Sequence, residues 1–273
     1  MANSELDKLV TAVSQSRKYK QISPDLVRRI GARELSVRRN VKEAVKATKN
    51  KLHQVGGAYL DAQIPYEKAL QRLENGQDQS VVCQELMRLH KSTNERLPIL
   101  AQFYETIFAQ LPPIHSVLDI ASGLNPLAIP WMPLAKNATY TAYDIYADMM
   151  GFLQQAFPLL GVQGKAECQD VISQPPTEQV DLALILKALP VLDQVDKTAV
   201  SNLLNTIQAQ YILVTFPIKS LGGRDKGMAA NYEAQFDQWV NGLSPRKSGS
   251  RLWHIQQFNF ATELAFLIHK NVK

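Results

Sequence analysis

The second half of the chain alternates short apolar runs with amphipathic segments, a pattern typical of βα units. Two apolar runs near the C-terminus, about 251–260 and 263–270, are close enough in sequence to pair antiparallel. We therefore predict an α/β fold whose sheet has seven strands and ends in an antiparallel pair. The other five strands are predicted at 116–121, 139–144, 164–169, 181–186 and 211–216.

The chain before these strands carries apolar positions at helical spacing. Ser23 stands before Pro24, as a capping hydroxyl before a proline at the first helical position. Ser92 and Thr93 are the expected caps of a later helix, with Glu95 available to its first turn. Helices are predicted over about 4–20, from 24, from 40 to the glycines at 56 and 57, over 65–75 and 79–90, and from 97 to the prolines at 112 and 113.

The first predicted strand is followed by a glycine turn, and the next two strands are each followed by a carboxylate. Gly123 ends the first strand, Asp144 the second and Asp170 the third. A carboxylate after the second strand of a Rossmann-type fold can accept from both ribose hydroxyls, and one after the third can accept from an adenine amino group. The order predicts an adenosine-containing cofactor. Only one glycine of the dinucleotide fingerprint G-x-G-x-x-G is present, which argues against a dinucleotide.

Composition limits the class of protein. The 273 residues are 45% hydrophobic, enough to fill a core. Cys83 and Cys168 provide neither a disulfide framework nor a metal cluster, so we expect no metal site and a reducing, cytoplasmic location. The N-terminus lacks the layout of a signal peptide, and no apolar run approaches the roughly 18 residues that span a bilayer. We therefore expect a soluble protein with no membrane partner.

The net charge of +5 is concentrated at the N-terminus. Residues 1–60 hold 13 lysines and arginines against five acids, a balance of +8, so the rest of the chain is mildly acidic. The basic residues cluster on two predicted helices, which could form either a solvated face or a phosphate-binding surface. The candidates for contact with a polyanion are Arg28, Arg29, Lys42, Lys46, Lys49 and His53.

Longer motifs resemble the aminoglycoside-resistance methyltransferases of 16S ribosomal RNA, in the branch that modifies N7 of an A-site guanine. The resemblance implies a class I S-adenosylmethionine-dependent methyltransferase, with a Rossmann-like seven-stranded sheet and an all-α N-terminal domain. The end of the last predicted helix places a domain boundary between about 105 and 113, so we expect a helical domain at 1–108 that docks on the 30S subunit and a methyltransferase domain at 109–273. The motifs are SPDLVRR (23–29), KLHQVGGAY (51–59), HKSTNER (90–96), LDIASGLNPLA (118–128) and FPIKSLGGRDKGMAANY (216–232).

The resemblance also implies S-adenosylmethionine as the cofactor and places its contacts. Arg96 would hold the methionine carboxylate, Asp144 the ribose hydroxyls and Asp170 the adenine amine, while Leu186 would supply apolar surface. The complete set is Tyr59, His90, Lys91, Ser92, Thr93, Asn94, Glu95, Arg96, Ala121, Gly123, Asp144, Asp170, Val171 and Leu186.

The implied reaction needs positioning more than proton transfer, because guanine N7 already carries an in-plane lone pair. N7 shares an edge with O6, where an Arg or Lys donor can bind. The catalytic candidates are Lys187, after the fourth strand, and Arg224, in the loop after the fifth. Without the resemblance, Lys187 would be interpreted as a strand-end lysine in solvent. Met228 could hold a guanine that has been flipped out of the RNA helix.

Three functions remain open at this stage. The first is a monomeric enzyme that methylates guanine N7 at the decoding-site helix of 16S rRNA in the 30S subunit and gives aminoglycoside resistance. The second is a methyltransferase that acts on another RNA or on adenine N1. The third is a non-catalytic RNA adaptor that binds S-adenosylmethionine, which the presence of Arg96, Asp144 and Asp170 disfavours because an adaptor would not require a complete cofactor site.

Overall fold

A computed structural model describes residues 2–60, 64–218, 228–241 and 253–270. Its framework is a seven-stranded sheet in the order β3-β2-β1-β4-β5-β7-β6. The first five strands are parallel, and β7 lies antiparallel between β5 and β6. All seven predicted strands are confirmed, with ends that differ by up to three residues. They are β1 (Ser116–Ile120), β2 (Thr139–Asp144), β3 (Gln163–Cys168), β4 (Gln179–Leu186), β5 (Gln208–Pro217), β6 (Trp253–Asn259) and β7 (Glu263–Lys270).

Helices precede the sheet and cover its two faces. Seven of them lie before β1, which confirms the helical N-terminal region. The helices are α1 (Ala2–Ser14), α2 (Pro24–Val37), α3 (Val41–Leu52), α4 (Tyr66–Glu74), α5 (Gln79–Met87), α6 (Lys91–Arg96), α7 (Leu100–Phe108), α8 (Ala147–Leu159), α9 (Leu189–Val195), α10 (Ala199–Thr206) and α11 (Met228–Asn241). None of the described helices combines the length and the apolarity that crossing a membrane requires.

Three local predictions about these helices were wrong. The first helix ends at Ser14 and does not continue to residue 20. Ser23 makes no side-chain cap, and its backbone N–H instead donates to the carbonyl oxygen of Ile145 at 2.8 Å. α6 begins before the expected caps, and the Thr93 hydroxyl donates backwards to the carbonyl of Met87 at 2.7 Å. In the last two cases a contact with another segment of the chain replaces the local cap.

The third predicted helix ends at the glycines, as expected. α3 is followed without a break by a π-helical turn, His53–Gly57, which ends at the second glycine. Gly56 in this turn lies against the ring of Tyr146, and a Cβ atom there would be 2.7 Å from the tyrosine oxygen. The turn therefore brings the helical region into direct contact with the loop that follows β2.

The two faces of the sheet pack against different parts of the chain. On β4, Leu182 and Leu184 belong to an apolar cluster that includes α2 and α7, whereas Ala183 and Ile185 face a second cluster with α9 and α10. This alternation follows from the two-residue period of a strand. The helical region thus shares a continuous core with one face of the sheet.

The packing of β3 on α8 yields a test of the fold. Gly164 lies so close to Phe157 that an added Cβ would overlap the aromatic ring, whereas nothing lies within 4 Å of a Cβ added at Gly151 on α8. We expect Gly164→Ala to lower the free energy of unfolding by about 1–3 kcal/mol through overpacking. Gly151→Ala, the matched control, should be neutral or raise it by up to about 1 kcal/mol because alanine favours the helix. Chemical denaturation would measure the free energy of unfolding of both variants. An unchanged value for Gly164→Ala would contradict this packing.

Candidate active site

A cleft opens at the carboxyl ends of β1, β2 and β4, where the strand order reverses and α/β sheets bind ligands. Its empty space, including the open mouth, is about 910 Å³. Most of the predicted cofactor residues line it, although Lys91, Asn94 and Glu95 do not. The predicted residues in the lining are Tyr59, His90, Ser92, Thr93, Arg96, Ala121, Gly123, Asp144, Asp170, Val171, Leu186 and Lys187.

The turn after β1 is held in a conformation that restricts its sequence. Ala121 and Gly123 both have φ near +52°, in the left-handed region that disfavours residues with a side chain. A Cβ added at Gly123 would also approach the His90 ring to 2.8 Å. Glycine is therefore required at position 123 both by its backbone angle and by a close neighbour.

Asp144 is fixed by the same turn. Its Oδ2 accepts the N–H of Gly123 at 2.9 Å and its Oδ1 accepts the N–H of Ile145 at 2.7 Å. Burial raises the pKa of this carboxyl, and the backbone donors oppose that shift. Each carboxylate oxygen still has acceptor capacity for another donor. Two ribose hydroxyls could use this capacity, and the ribose role of Asp144 stays a prediction.

Arg96 is fully buried and lies in an ion pair that the sequence did not suggest. Its Nε and Nη2 donate to the two carboxylate oxygens of Glu263 at 2.8 and 3.1 Å, and its Nη1 donates to Asn125 Oδ1 at 2.7 Å. Three of its five N–H groups are thus used, so two remain for a ligand carboxylate. The only local signal for Glu263 was an acid at the start of an apolar run; its partner depends on where β7 enters the sheet.

Lys187 lines the cleft, and its role as a donor to the guanine stays a prediction. It is buried, so the interpretation as a solvent-exposed lysine was wrong. Its ammonium contacts Glu95 Oε2 at 2.8 Å, Glu263 Oε1 at 3.1 Å and the Ser92 carbonyl at 3.2 Å. These contacts occupy its three N–H groups, so donation to a guanine O6 would require the exchange of one partner.

A second set of polar residues lies beneath the glycine turn. Asp119 Oδ2 accepts from Asn125 at 2.8 Å and from the Tyr140 hydroxyl at 2.7 Å, and the Tyr104 hydroxyl donates to Asn125 at 2.6 Å. Burial raises the pKa of Asp119 to about 7. Asn125 joins this set to Arg96, so β1, the turn and the ion pair form one hydrogen-bonded unit.

His90 contributes a neutral ring to the cleft wall. It lies between Gly123 and Tyr59, whose ring is stacked at 6.0 Å between centroids. Burial, followed by the charges of Lys187 and Arg96, lowers the pKa of His90 to about 4, so the imidazole is neutral near pH 7. Its Nδ1 is buried and has no hydrogen-bond partner among the described residues. His90 therefore adds an uncharged ring surface to the cleft wall.

The helical region forms the outer wall of the cleft, with Leu26 and Arg29 from α2 and Val55 and Gly56 from the turn after α3. Arg29 donates to both oxygens of Asp170, at 2.7 and 3.0 Å. The sequence predicted Arg29 as an RNA contact and Asp170 as an adenine contact, but not that they would pair.

The other predicted RNA contacts are on the surface. Arg28 is paired with Asp7 at 2.9 Å, and His53 lies 3.0 Å from the Lys18 ammonium. Lys42 and Lys46 are exposed and Lys49 is half-buried on α3. Met228 begins α11 and is half-buried, while Arg224 lies outside the described residues. Among the described residues, no group of His, Cys, Asp and Glu could hold a metal ion.

Comparison with known proteins agrees with this arrangement over the whole chain. The chain is 37% identical to a 16S rRNA (guanine(1405)-N(7))-methyltransferase of Micromonospora rosea, with 98% of each covered, and 35% identical to one of Serratia marcescens, with 96% and 97% covered. The structure of the 16S rRNA methylase RmtB superimposes with a TM-score of 0.79 at 31% identity, covering 97% of this chain and 98% of that one.

A further solved structure contains a cofactor product. The 16S rRNA methyltransferase RmtF in complex with S-adenosyl-L-homocysteine superimposes with a TM-score of 0.81 at 28% identity, covering 97% of this chain and 98% of that one. The model of the family described as ribosomal RNA methyltransferase (FmrO) matches residues 15–267. The class I methyltransferase fold and the resemblance noted in the sequence are thus confirmed, and the chain belongs to this ribosomal RNA methyltransferase family.

Proposed function

We propose that the protein transfers a methyl group from S-adenosylmethionine to N7 of an A-site guanine of 16S rRNA in the 30S subunit, and thereby gives aminoglycoside resistance. The observation that carries the proposal is the similarity over the full chain, helical region included, to 16S rRNA (guanine(1405)-N(7))-methyltransferases. A methyltransferase with an unrelated substrate would be expected to share mainly the sheet.

Different residues of the cleft are proposed to bind different parts of the cofactor. S-adenosylmethionine supplies an electrophilic methyl group when bound. Asp144 would accept hydrogen bonds from the ribose hydroxyls, and the two remaining N–H groups of Arg96 would bind the methionine carboxylate. The neutral His90 ring and Leu186 would pack against the cofactor. The hydrogen-bonding and apolar groups of the cleft therefore fit this cofactor.

The chain then has only to orient the guanine. Guanine N7 already carries the lone pair that bonds to the methyl group, so no residue has to remove a proton from the guanine beforehand. Lys187 and Arg224 are the proposed donors to the O6 edge, and Met228 is proposed to support the flipped base. Flipping costs about a few kcal/mol, which contacts elsewhere on the RNA must offset.

Those contacts are proposed to come from the helical region, residues 1–108, acting within a monomer. The exposed lysines of α3 can neutralise phosphates of a structured particle, which sets position without reading sequence. The substrate would then be the folded 30S subunit, since phosphates must be presented in a fixed geometry.

The proposal is tested by methyl transfer from radiolabelled S-adenosylmethionine, followed by mapping of the modified nucleotide. We expect purified 30S subunits to be methylated at guanine N7 and naked 16S rRNA to react poorly. Methylation of adenine, or of transfer RNA in place of 30S subunits, would contradict the proposed substrate.

The ribose role of Asp144 is testable by calorimetry. Asp144→Ala should weaken S-adenosylmethionine binding by about 1–3 kcal/mol through the loss of charge-assisted hydrogen bonds. Asp148→Ala is the matched control, because Asp148 is an exposed carboxylate four residues further on. Unchanged affinity in Asp144→Ala would remove this residue from the ribose site.

The docking surface is testable by charge reversal. Lys42→Glu combined with Lys46→Glu should weaken 30S binding and reduce the slope of log K against log salt by about 0.7–0.9 for each lost phosphate contact. Cofactor affinity should be retained, since neither lysine lines the cleft. Lys136→Glu is the control, because the exposed Lys136 precedes β2 at the amino ends of the parallel strands, opposite the cleft. Normal 30S binding by the double variant would show that this face is only solvated.

A further inference from the structure

Arg29 and Asp170 form an ion pair between two segments that are 141 residues apart in sequence. Arg29 lies on α2, and Asp170 lies just after β3 on the wall of the cleft. The arginine Nε donates to Oδ2 at 2.7 Å and its Nη2 donates to Oδ1 at 3.0 Å. The side chain of Arg29 is 25% exposed and that of Asp170 is 4% exposed. This is a bidentate, largely desolvated pair, the geometry in which arginine fixes a carboxylate most firmly.

Two further donors fix the plane of the Asp170 carboxylate. The Ser173 hydroxyl donates to Oδ2 at 2.7 Å, and the Ile172 backbone N–H reaches Oδ1 at 3.3 Å. Oδ2 therefore holds two short hydrogen bonds, while Oδ1 holds two longer ones. The four donors together use the roughly four lone-pair sites of the carboxylate, and the longest of these hydrogen bonds, from the Ile172 N–H to Oδ1, is the one that an adenine amine could replace.

The rest of α2 is attached across the same cleft. Asp25 accepts from the Gln174 side chain at 2.9 Å, and Arg33 donates to the carbonyl of Val195 at 2.8 Å. Between these contacts, Leu26 and Arg29 line the cleft. The helix is therefore held at both ends, and its middle forms part of the cofactor site.

We propose that Arg29 is a positioning residue for the cofactor: it holds the Asp170 carboxylate in the orientation that accepts the adenine amine. This proposal rests on the proposed use of S-adenosylmethionine. Removal of Arg29 would leave a buried carboxylate without its counter-charge, which favours reorientation of the Asp170 side chain. α2 thereby becomes a wall of the cofactor site as well as part of the proposed docking region.

The same arginine was predicted from the sequence to contact RNA, and the two roles give opposite results in binding experiments. A positioning residue changes cofactor affinity in the absence of RNA. A docking residue changes 30S affinity and leaves the cofactor unaffected. Arg38 offers a matched control, because it ends the same helix in an ion pair with Glu34 at 3.0 Å while its side chain is 47% exposed.

The experiment compares wild type, Arg29→Met and Arg38→Met by calorimetry with two ligands. One is S-adenosylhomocysteine, and the other is its inosine analogue, in which a carbonyl oxygen replaces the adenine amine. Wild type should prefer the amine, because the carbonyl oxygen would face the carboxylate. Arg29→Met should bind S-adenosylhomocysteine at least about tenfold more weakly than wild type does, and should lose most of the preference for it over the inosine analogue. Arg38→Met should match wild type within about twofold, because neither Arg38 nor its partner Glu34 lines the cleft.

A general loss of structure would weaken both ligands equally, so an unchanged preference in Arg29→Met would overturn the proposal. Adenosine-ligand affinity within about twofold of wild type would also overturn it, and lost 30S binding beside that unchanged affinity would establish the docking role. Arg29→Lys keeps the positive charge but loses the two parallel N–H groups that bind both carboxylate oxygens. Its affinity for S-adenosylhomocysteine and its preference for the amine should lie between those of wild type and Arg29→Met. This variant decides the question if Arg29→Met does not fold. If the wild-type protein binds neither ligand, the proposed function itself is contradicted.

Discussion

The buried ion pairs among Arg96, Glu263 and Lys187 are the constraint on which the site depends. Ionised groups removed from water are tolerated only when each is matched by an opposite charge and by hydrogen bonds. Glu263 satisfies both cations, with distances of 2.8 and 3.1 Å to their nitrogen atoms. These three residues come from α6, β7 and the end of β4, so the antiparallel entry of β7 into the sheet is a condition for the geometry of the cleft.

This constraint unites the helical region with the sheet. Arg96 belongs to the helical region and is held by Glu263, while Arg29 of the same region holds Asp170. Removal of one partner from either pair would leave a buried charge, which costs more than the intact pair contributes. The helical region and the sheet therefore line one cleft, although the last helix of that region ends at Phe108 and the first strand begins only at Ser116.

Features that depend on the local sequence could be predicted, whereas contacts between residues far apart in the sequence could not. The seven strands follow from runs of apolar residues, and the placement of Gly123 and Asp144 follows from where those strands end. The partner of Arg96 was not predictable in this way, because 167 residues separate it from Glu263. Likewise, Ser23 looks like a helix cap in isolation, but its backbone N–H is used by the Ile145 carbonyl.

Charge counting failed for the same reason, with a consequence for RNA binding. The excess of +8 in residues 1–60 treats all basic residues alike. Arg29 is committed to Asp170 and Arg33 to a backbone carbonyl, whereas Lys42 and Lys46 remain exposed. Exposed charges act on a polyanion through counterion release and are weakened by salt, while a desolvated pair is screened much less. Lys42 and Lys46 on α3 are thus the salt-sensitive charges, whereas Arg29 on α2, paired with the buried Asp170, is screened much less.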